Sequence, residues 1–218
     1  MPWVDSLVLA WTAQSPWEML AVGMALAYLL LAVRQNPLCW IAAGVSTAIY
    51  TALFWQVQLV MQSALNAYYL AMAVYGWWLW RRGGEEHTLL SINRWSWSRH
   101  ALALLVVLAL TALSGGLLGQ HSDAAWPYLD SLITWGAVVT TFMVARKVLE
   151  NWAWWMVINS LAIFLFLERG LILTASLHAA YLVISIFGWR RWWLDYRQGP
   201  GAGRHNDGRS RSPRESAS

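Results

Sequence analysis

The chain has 218 residues, of which 58% are hydrophobic and only 12% charged, and its mean hydropathy is +0.41. That balance lies far from the soluble norm and marks a multi-pass membrane protein with no room for a second, water-soluble core. A single cysteine, Cys39, excludes disulfide frameworks and cysteine metal centres and reads as packing.

In chain order, Met1 to Ser15 lack the basic start of a cleavable signal peptide, so the first helix is expected to be retained. A span needs about 20 mainly apolar residues. Seven such runs are predicted, at roughly Trp17–Val33, Leu38–Trp55, Leu59–Trp80, His100–Leu118, Ala124–Ala145, Trp152–Leu167 and Gly170–Trp193. Their connections are short except for Arg81 to Arg99, where Gly83, Gly84, Glu85, Glu86 and His87 read as an exposed linker. After Gln198 the Gly, Ser, Pro and Arg of residues 199–218 cannot bury enough apolar surface to fold, and a disordered cytoplasmic tail is expected. Residues 1–198 then form one transmembrane domain.

Seven spans place fourteen of the fifteen basic residues on one side and only Arg169 on the other. Basic loops stay in the cytoplasm, so the N-terminus is expected outside and the C-terminus inside. The net charge of +4 then faces anionic lipid and implies no nucleic-acid partner. Sliding the chain by 112 residues aligns Leu31–Arg82 with Met143–Leu194 at 13 identities in 52 positions, among them Trp40 with Trp152, Tyr69 with Tyr181, Gly76 with Gly188 and Trp80 with Trp192. Helices one to three are thus expected to recur as helices five to seven, with repeat 1 at about 17–80, a linking helix at about 100–118 and repeat 2 at about 124–193. Three spans plus a linking span return the chain to its starting side, so the copies run parallel, related by an axis along the membrane normal. The predicted fold is all-α and integral to the membrane, seven transmembrane helices in a 3+1+3 arrangement that resembles SWEET-type transporters, whose solute sits between the repeats.

Within ENWAWWMVIN, Trp152, Trp155 and Asn159 are spaced by three and four and share one helical stripe. Two indole faces and an amide at membrane depth suit a flat, polar or cationic organic solute. Gln62, Asn66 and Tyr69 form a second stripe on helix three, and His178 and Tyr181 take the repeat positions of Asn66 and Tyr69. Polar groups inside a span face a cavity or bond another helix, and for Gln62, Asn66 and Asn159 both readings stand. For Tyr69 and Tyr181, matched in both copies, repeat packing is favoured. Asp130, three residues after Pro127, either draws a cation to the outer mouth or caps its helix. Glu150 beside Arg146 and Lys147 reads as an interfacial ion-pair cluster, and Glu168 with Arg169 as a solvated pair. Trp77, Trp78, Trp80, Trp189, Trp192 and Trp193 neighbour arginines and read as interfacial belt residues.

The only lysine, Lys147, falls in a loop, which excludes a mid-membrane retinal Schiff base. The chain has no G-x-x-x-x-G-K-[ST], H-E-x-x-H or G-x-S-x-G, which removes P-loop nucleotide binding, a zinc protease and a hydrolase elbow. No catalytic residue, metal or cofactor is expected, and the protein is not read as an enzyme.

The run from Pro127 to Trp192 resembles the second half of PnuC-type nicotinamide riboside transporters, through P-x-x-D at the start of helix five, the A-R-K-x-x-E-N-W-x-x-W junction and the Tyr181 to Gly188-Trp189 spacing. LNAYYLAMAVYGWWLW in helix three is similar to its family counterpart. The resemblance implies a 3+1+3 homotrimer in the bacterial inner membrane. It also implies uncoupled facilitated diffusion of nicotinamide riboside, with a cytoplasmic kinase trapping the product by phosphorylation. It maps the substrate site onto Trp152, Trp155 and Asn159, with Gln62 and Asn66 of helix three, and suggests a pyridinium ring held between the two indoles. The alternatives are a member of the same family carrying thiamine or riboflavin, a SWEET-like sugar carrier, and a non-transporting scaffold or receptor.

Overall fold

The computed structural model describes residues 16–56, 60–82, 90–121 and 126–198. The expectations for Met1 to Ser15 and for the tail beyond Gln198 lie outside the described residues. Seven α-helices occur among those described: α1 Pro16–Val33, α2 Cys39–Gln56, α3 Val60–Arg82, α4 Trp97–His121, α5 Pro127–Ala145, α6 Asn151–Glu168 and α7 Ile172–Gln198. Pro16 and Pro127 open their helices at positions where the missing N–H has no intrahelical partner to lose. An 18-residue helix rises about 27 Å, near the thickness of a hydrocarbon core. α1, α4, α5 and α6 are long and apolar enough to cross one. α2, α3 and α7 are at least as long as the shortest of these, at 18, 23 and 27 residues.

α2 packs between α1 and α3, and α6 between α5 and α7. The ring closes where α3 meets α5 and α1 meets α7, while α4 lies outside against α5 and exposes Leu102, Leu105 and Leu113.

The core gathers at the arginine-rich end. Trp40, Trp80, Trp152 and Trp192 are all essentially inaccessible there, with Cys39 and Leu149 among them. Trp80 and Trp192 are therefore core residues rather than members of an interfacial belt. Two glycines make this possible: a Cβ at Gly76 would overlap the Trp40 indole, and one at Gly188 would sit 2.6 Å from that of Trp152. Each admitted indole meets the next edge-on, Trp40 with Trp80 at 5.5 Å and Trp152 with Trp192 at 5.5 Å. Trp80 Nε1 donates to the carbonyl of Ala145 at 3.0 Å, and Trp192 Nε1 to that of Ala32 at 3.0 Å. Both bonds tie the last carbonyls of a first helix, α5 or α1, to the closing helix of the other half.

α1 and α5 also end in the same turn. The Gln35 amide donates to Ala32 and that of Asn36 to Leu31; 112 residues on, the Lys147 amide donates to Val144 and that of Val148 to Met143. This double bond pattern requires a left-handed residue after the helix, usually glycine. Here the position holds Gln35 at φ 54° and Lys147 at φ 49°, at a cost of about 1–2 kcal/mol each. Their side chains meet: Lys147 Nζ donates to Gln35 Oε1 at 3.3 Å, and Gln35 Nε2 donates to Asp195 Oδ2 at 2.7 Å. Lys147 is buried and lies 4.6 Å from the centre of the Trp80 ring.

The segment before α4 is not a free linker over its described part. Asn93 pairs with Val148 through backbone bonds to Lys147 and Leu149, and its side chain donates to the Arg146 carbonyl. Glu150 pairs with Arg94 at 2.7 Å and accepts from the Trp95 amide, rather than pairing with Arg146 or Lys147. Arg146 instead lies over the Phe142 and Tyr75 rings.

Gly188→Ala is expected to destabilise the protein by about 1–3 kcal/mol, because the Trp152 ring behind it is clamped by Trp192 and cannot yield. Thermal melting of the purified protein checks this, and an unchanged midpoint would contradict the packing account. Lys147 supplies a second expectation. Burial pushes its ammonium down to about 8, whereas an unfolded lysine titrates near about 10.4. Between those values the unfolded chain holds a proton that the folded chain has lost, so stability rises as pH climbs through that window. Melting curves at about pH 7.5 and about pH 10 are expected to show the rise in the wild type and not in Lys147→Met.

Candidate functional site: an aromatic cavity between the helices

A cavity of about 410 Å³ lies inside the ring of helices, directly above the tryptophan core. Trp40 lines one end of it, and Asp130, exposed in the first turn of α5, lines the other. Its volume lies in the range typical of small-molecule sites. The wall is mostly aromatic and aliphatic, with few polar groups.

α6 places Trp155 and Asn159 on the lining. Asn159 is buried, and its Oδ1 stands 2.9 Å from Nδ1 of His178 on α7. His178 stacks on Phe166 at 5.2 Å and meets Tyr181 edge-on at 5.6 Å. Tyr69 on α3 lines the same space. Six of the sequence-derived candidates, Trp155, Asn159, Tyr69, His178, Tyr181 and Asp130, are thus brought together. Tyr69 and Tyr181 do more than pack the repeats, since both contribute lining.

Trp152 is not brought in. It shares the α6 stripe with Trp155, but a three-residue step is about 4.5 Å along the axis. That step drops the Trp152 ring below the cavity floor into the space left by Gly188, where it is 1% exposed. A solute held between Trp152 and Trp155 is therefore incompatible with this packing. Asn66 is half-buried on α3 and does not line the cavity. Gln62 falls within α3, and its side chain lies outside the described residues.

Other lining residues escaped the stripe argument. Tyr28 from α1, Trp40 and Thr47 from α2, Thr141 from α5 and Phe166 from α6 all contribute. The 112-residue shift held the clue to one of them, because it carries Thr47 onto Asn159. Thr47 spends its hydroxyl proton on the Ala43 carbonyl at 2.8 Å, so it offers a solute only its oxygen lone pair.

The lining offers aromatic faces with a buried amide and an imidazole among them. Among the described residues no cluster of His, Cys, Asp or Glu fit to hold a metal ion occurs.

Known proteins agree with this reading of the fold. The riboflavin/roseoflavin transporter RibM of Streptomyces davaonensis is 23% identical over 184 residues, covering 83% of this chain and 86% of its own. The nicotinamide riboside transporter PnuC of Escherichia coli is 22% identical over 177 residues, covering 68% of this chain and 72% of its own. A crystal structure of the vitamin B3 transporter PnuC superposes with a TM-score of 0.66 at 18% identity, covering 89% of this chain and 88% of that one. Residues 15–194 match the family described as nicotinamide mononucleotide transporter, and the chain belongs to that family of multi-pass membrane transporters, of which PnuC is a member.

Proposed function

We propose that this protein is a uniporter that brings nicotinamide riboside across the bacterial inner membrane by uncoupled facilitated diffusion. The observation that carries the reading is the cavity itself: aromatic walls, one buried amide paired with an imidazole, and one carboxylate at the mouth. A pyridinium cation is drawn toward Asp130, stacks on the Trp155 face and hydrogen-bonds through Asn159. Trp152 supports the floor from below. With the arginine-rich end in the cytoplasm, the cavity faces outward and the tryptophan core bars the cytoplasmic side.

The helices act as two parallel three-helix repeats joined by α4, with the N-terminus outside and the C-terminus inside. The closed ring of helix contacts and the twin turns at Gln35 and Lys147 support this arrangement. The copies rock about the site to expose it inward. An uncoupled carrier only equilibrates its solute, so a cytoplasmic kinase that consumes the free riboside supplies the direction. The assembly is a homotrimer, and the leucines of α4 are available to lipid or to neighbouring copies.

Riboflavin is the second reading, because RibM matches a larger share of this chain than PnuC does. A flat tricyclic ring with a carbonyl and N–H edge suits the same walls.

Uptake of labelled nicotinamide riboside in cells lacking other routes tests the proposal. Riboflavin, thiamine and free sugars serve as competitors. Trp155→Ala is expected to lower uptake roughly tenfold through loss of stacking and cation–π attraction. Trp152→Phe is expected to lower the melting temperature while leaving the affinity of the folded protein unchanged. Equal uptake by Trp155→Ala and wild type would remove the site assignment, and competition by riboflavin alone would replace the substrate.

A further inference from the structure

The corners that end α1 and α5 meet at the arginine-rich end through one chain of side chains. Lys147 Nζ donates to Gln35 Oε1 at 3.3 Å, Gln35 Nε2 donates to Asp195 Oδ2 at 2.7 Å, and Arg191 Nε stands 3.3 Å from the same carboxylate oxygen. The amide reads one way only, because turning it over would set its N–H2 against an ammonium and its oxygen against a carboxylate. Gln35 and Lys147 are 112 residues apart, and so are the two indoles beside them, Trp80 and Trp192, whose N–H groups reach Val144 and Ala32. The chain of side chains thus crosses between repeat-related corners, and any separation of the two halves at that end must part it.

The contacts at this end differ in what breaking them costs. Gln35 and Asp195 are only partly buried, so water can take over the amide's bonds as they open. That exchange is cheap, since hydrogen bonds to protein are traded for hydrogen bonds to water. Lys147 is another matter: it is buried, with its ammonium 4.6 Å from the centre of the Trp80 ring. Its hydrogen-bond acceptor is a neutral amide, and Asp195 is joined to it through that amide. Taking a charge out of water costs more than such a contact returns. The same cost shows in its titration, which burial pushes down to about 8.

We propose that Gln35, Asp195 and Lys147 form a releasable latch at the arginine-rich end, in which the amide ties the two corners and the buried ammonium keeps the tie weak enough to open. This rests on the reading of the protein as a carrier and adds the contact that must part for the cavity to open through its tryptophan floor. The two parts of the device act in opposite directions. Without the amide, Lys147 and Asp195 lose their link across the halves, and opening becomes more frequent. Without the ammonium, an apolar side chain of similar length packs on Trp80 with no charge to desolvate, and opening becomes rarer. Opening registers first at the Gln35 corner, because the Lys147 corner is also held by the connector through Asn93.

The test is hydrogen exchange of the purified full chain, read by mass spectrometry over residues 31–40 with α4 as the internal reference, together with uptake and equilibrium binding of labelled nicotinamide riboside. Gln35→Ala is expected to speed exchange at that corner by about threefold to tenfold relative to α4, the loss of one partly exposed hydrogen bond. Lys147→Met is expected to slow it by about the same factor and to raise the melting temperature. In that variant maximal uptake falls several-fold while the affinity for the solute stays within about twofold, because the cavity is untouched and only its inward opening is rarer. A merely structural role for Lys147 gives the reverse, with faster exchange and a lower melting temperature. Unchanged exchange in Gln35→Ala, faster exchange in Lys147→Met, or a Lys147→Met chain that does not fold would each overturn the proposal. Slower exchange with maximal uptake unchanged would overturn it too, since the latch would then not limit passage. If Gln35→Ala cannot be purified, Gln35→Asn takes its place, because it tolerates the left-handed turn and its amide is too short to reach both partners. If wild type neither binds nor carries the riboside or riboflavin, the carrier reading falls on that result, and the opposite exchange shifts still decide whether the corners are latched.

Discussion

The structure depends on indole N–H groups that bond the last carbonyls of helices. The final turn of a helix leaves carbonyls without intrahelical partners, and water is scarce at the depth where α1 and α5 end against the core. Trp192 supplies a donor to Ala32, and Trp80 supplies one to Val144 and Ala145. An indole brings that donor with a large apolar body and no acceptor to satisfy in return. The same two residues therefore fill the core and join the halves of the molecule. Gly76 and Gly188, four residues earlier on their helices, open the space that admits the partner ring. Remove either part and the cavity above loses its floor.

The gross architecture was readable because it follows from apolar run length, and the described helices fall within a few residues of the predicted spans. The site was readable in part. Three and four spacing correctly put Trp155 and Asn159 on one stripe, but a stripe says nothing of where along it the cavity stops. Trp152 fell beyond that point because Gly188, on a different helix, made room for it. Tryptophans next to arginines suggested an interface, and proximity in sequence was the wrong guide for Trp80 and Trp192, whose neighbours in space come from other helices. The residues that were missed, Thr47 and Phe166 among them, look like ordinary span residues in isolation. The docking of Asn93 against Val148 had no local signal, since a single backbone bridge between distant loops leaves no periodic pattern.

The cavity and the core below it make opposite demands on similar side chains. In the core the aromatic rings are pinned edge-on and exclude solvent. In the cavity the rings of Trp155, Tyr69 and Tyr181 present surface, and the hydroxyls of Ser46, Thr47, Thr141 and Ser185 are spent on backbone carbonyls. A carrier gains from such economy, because interactions shared equally by every state of the cycle tighten binding without speeding passage.

The two halves look alike but are not tied down alike. Five bonds from Asn93, Arg94 and Trp95 pin the corner that carries Lys147. The matching corner at Gln35 receives no such strap among the described residues and reaches its neighbours through its own side chain. Separating the two corners would thus load them unequally: one is strapped to the connector ahead of α4, and the other is held by the Trp192 bond to Ala32 and by the side-chain amide of Gln35.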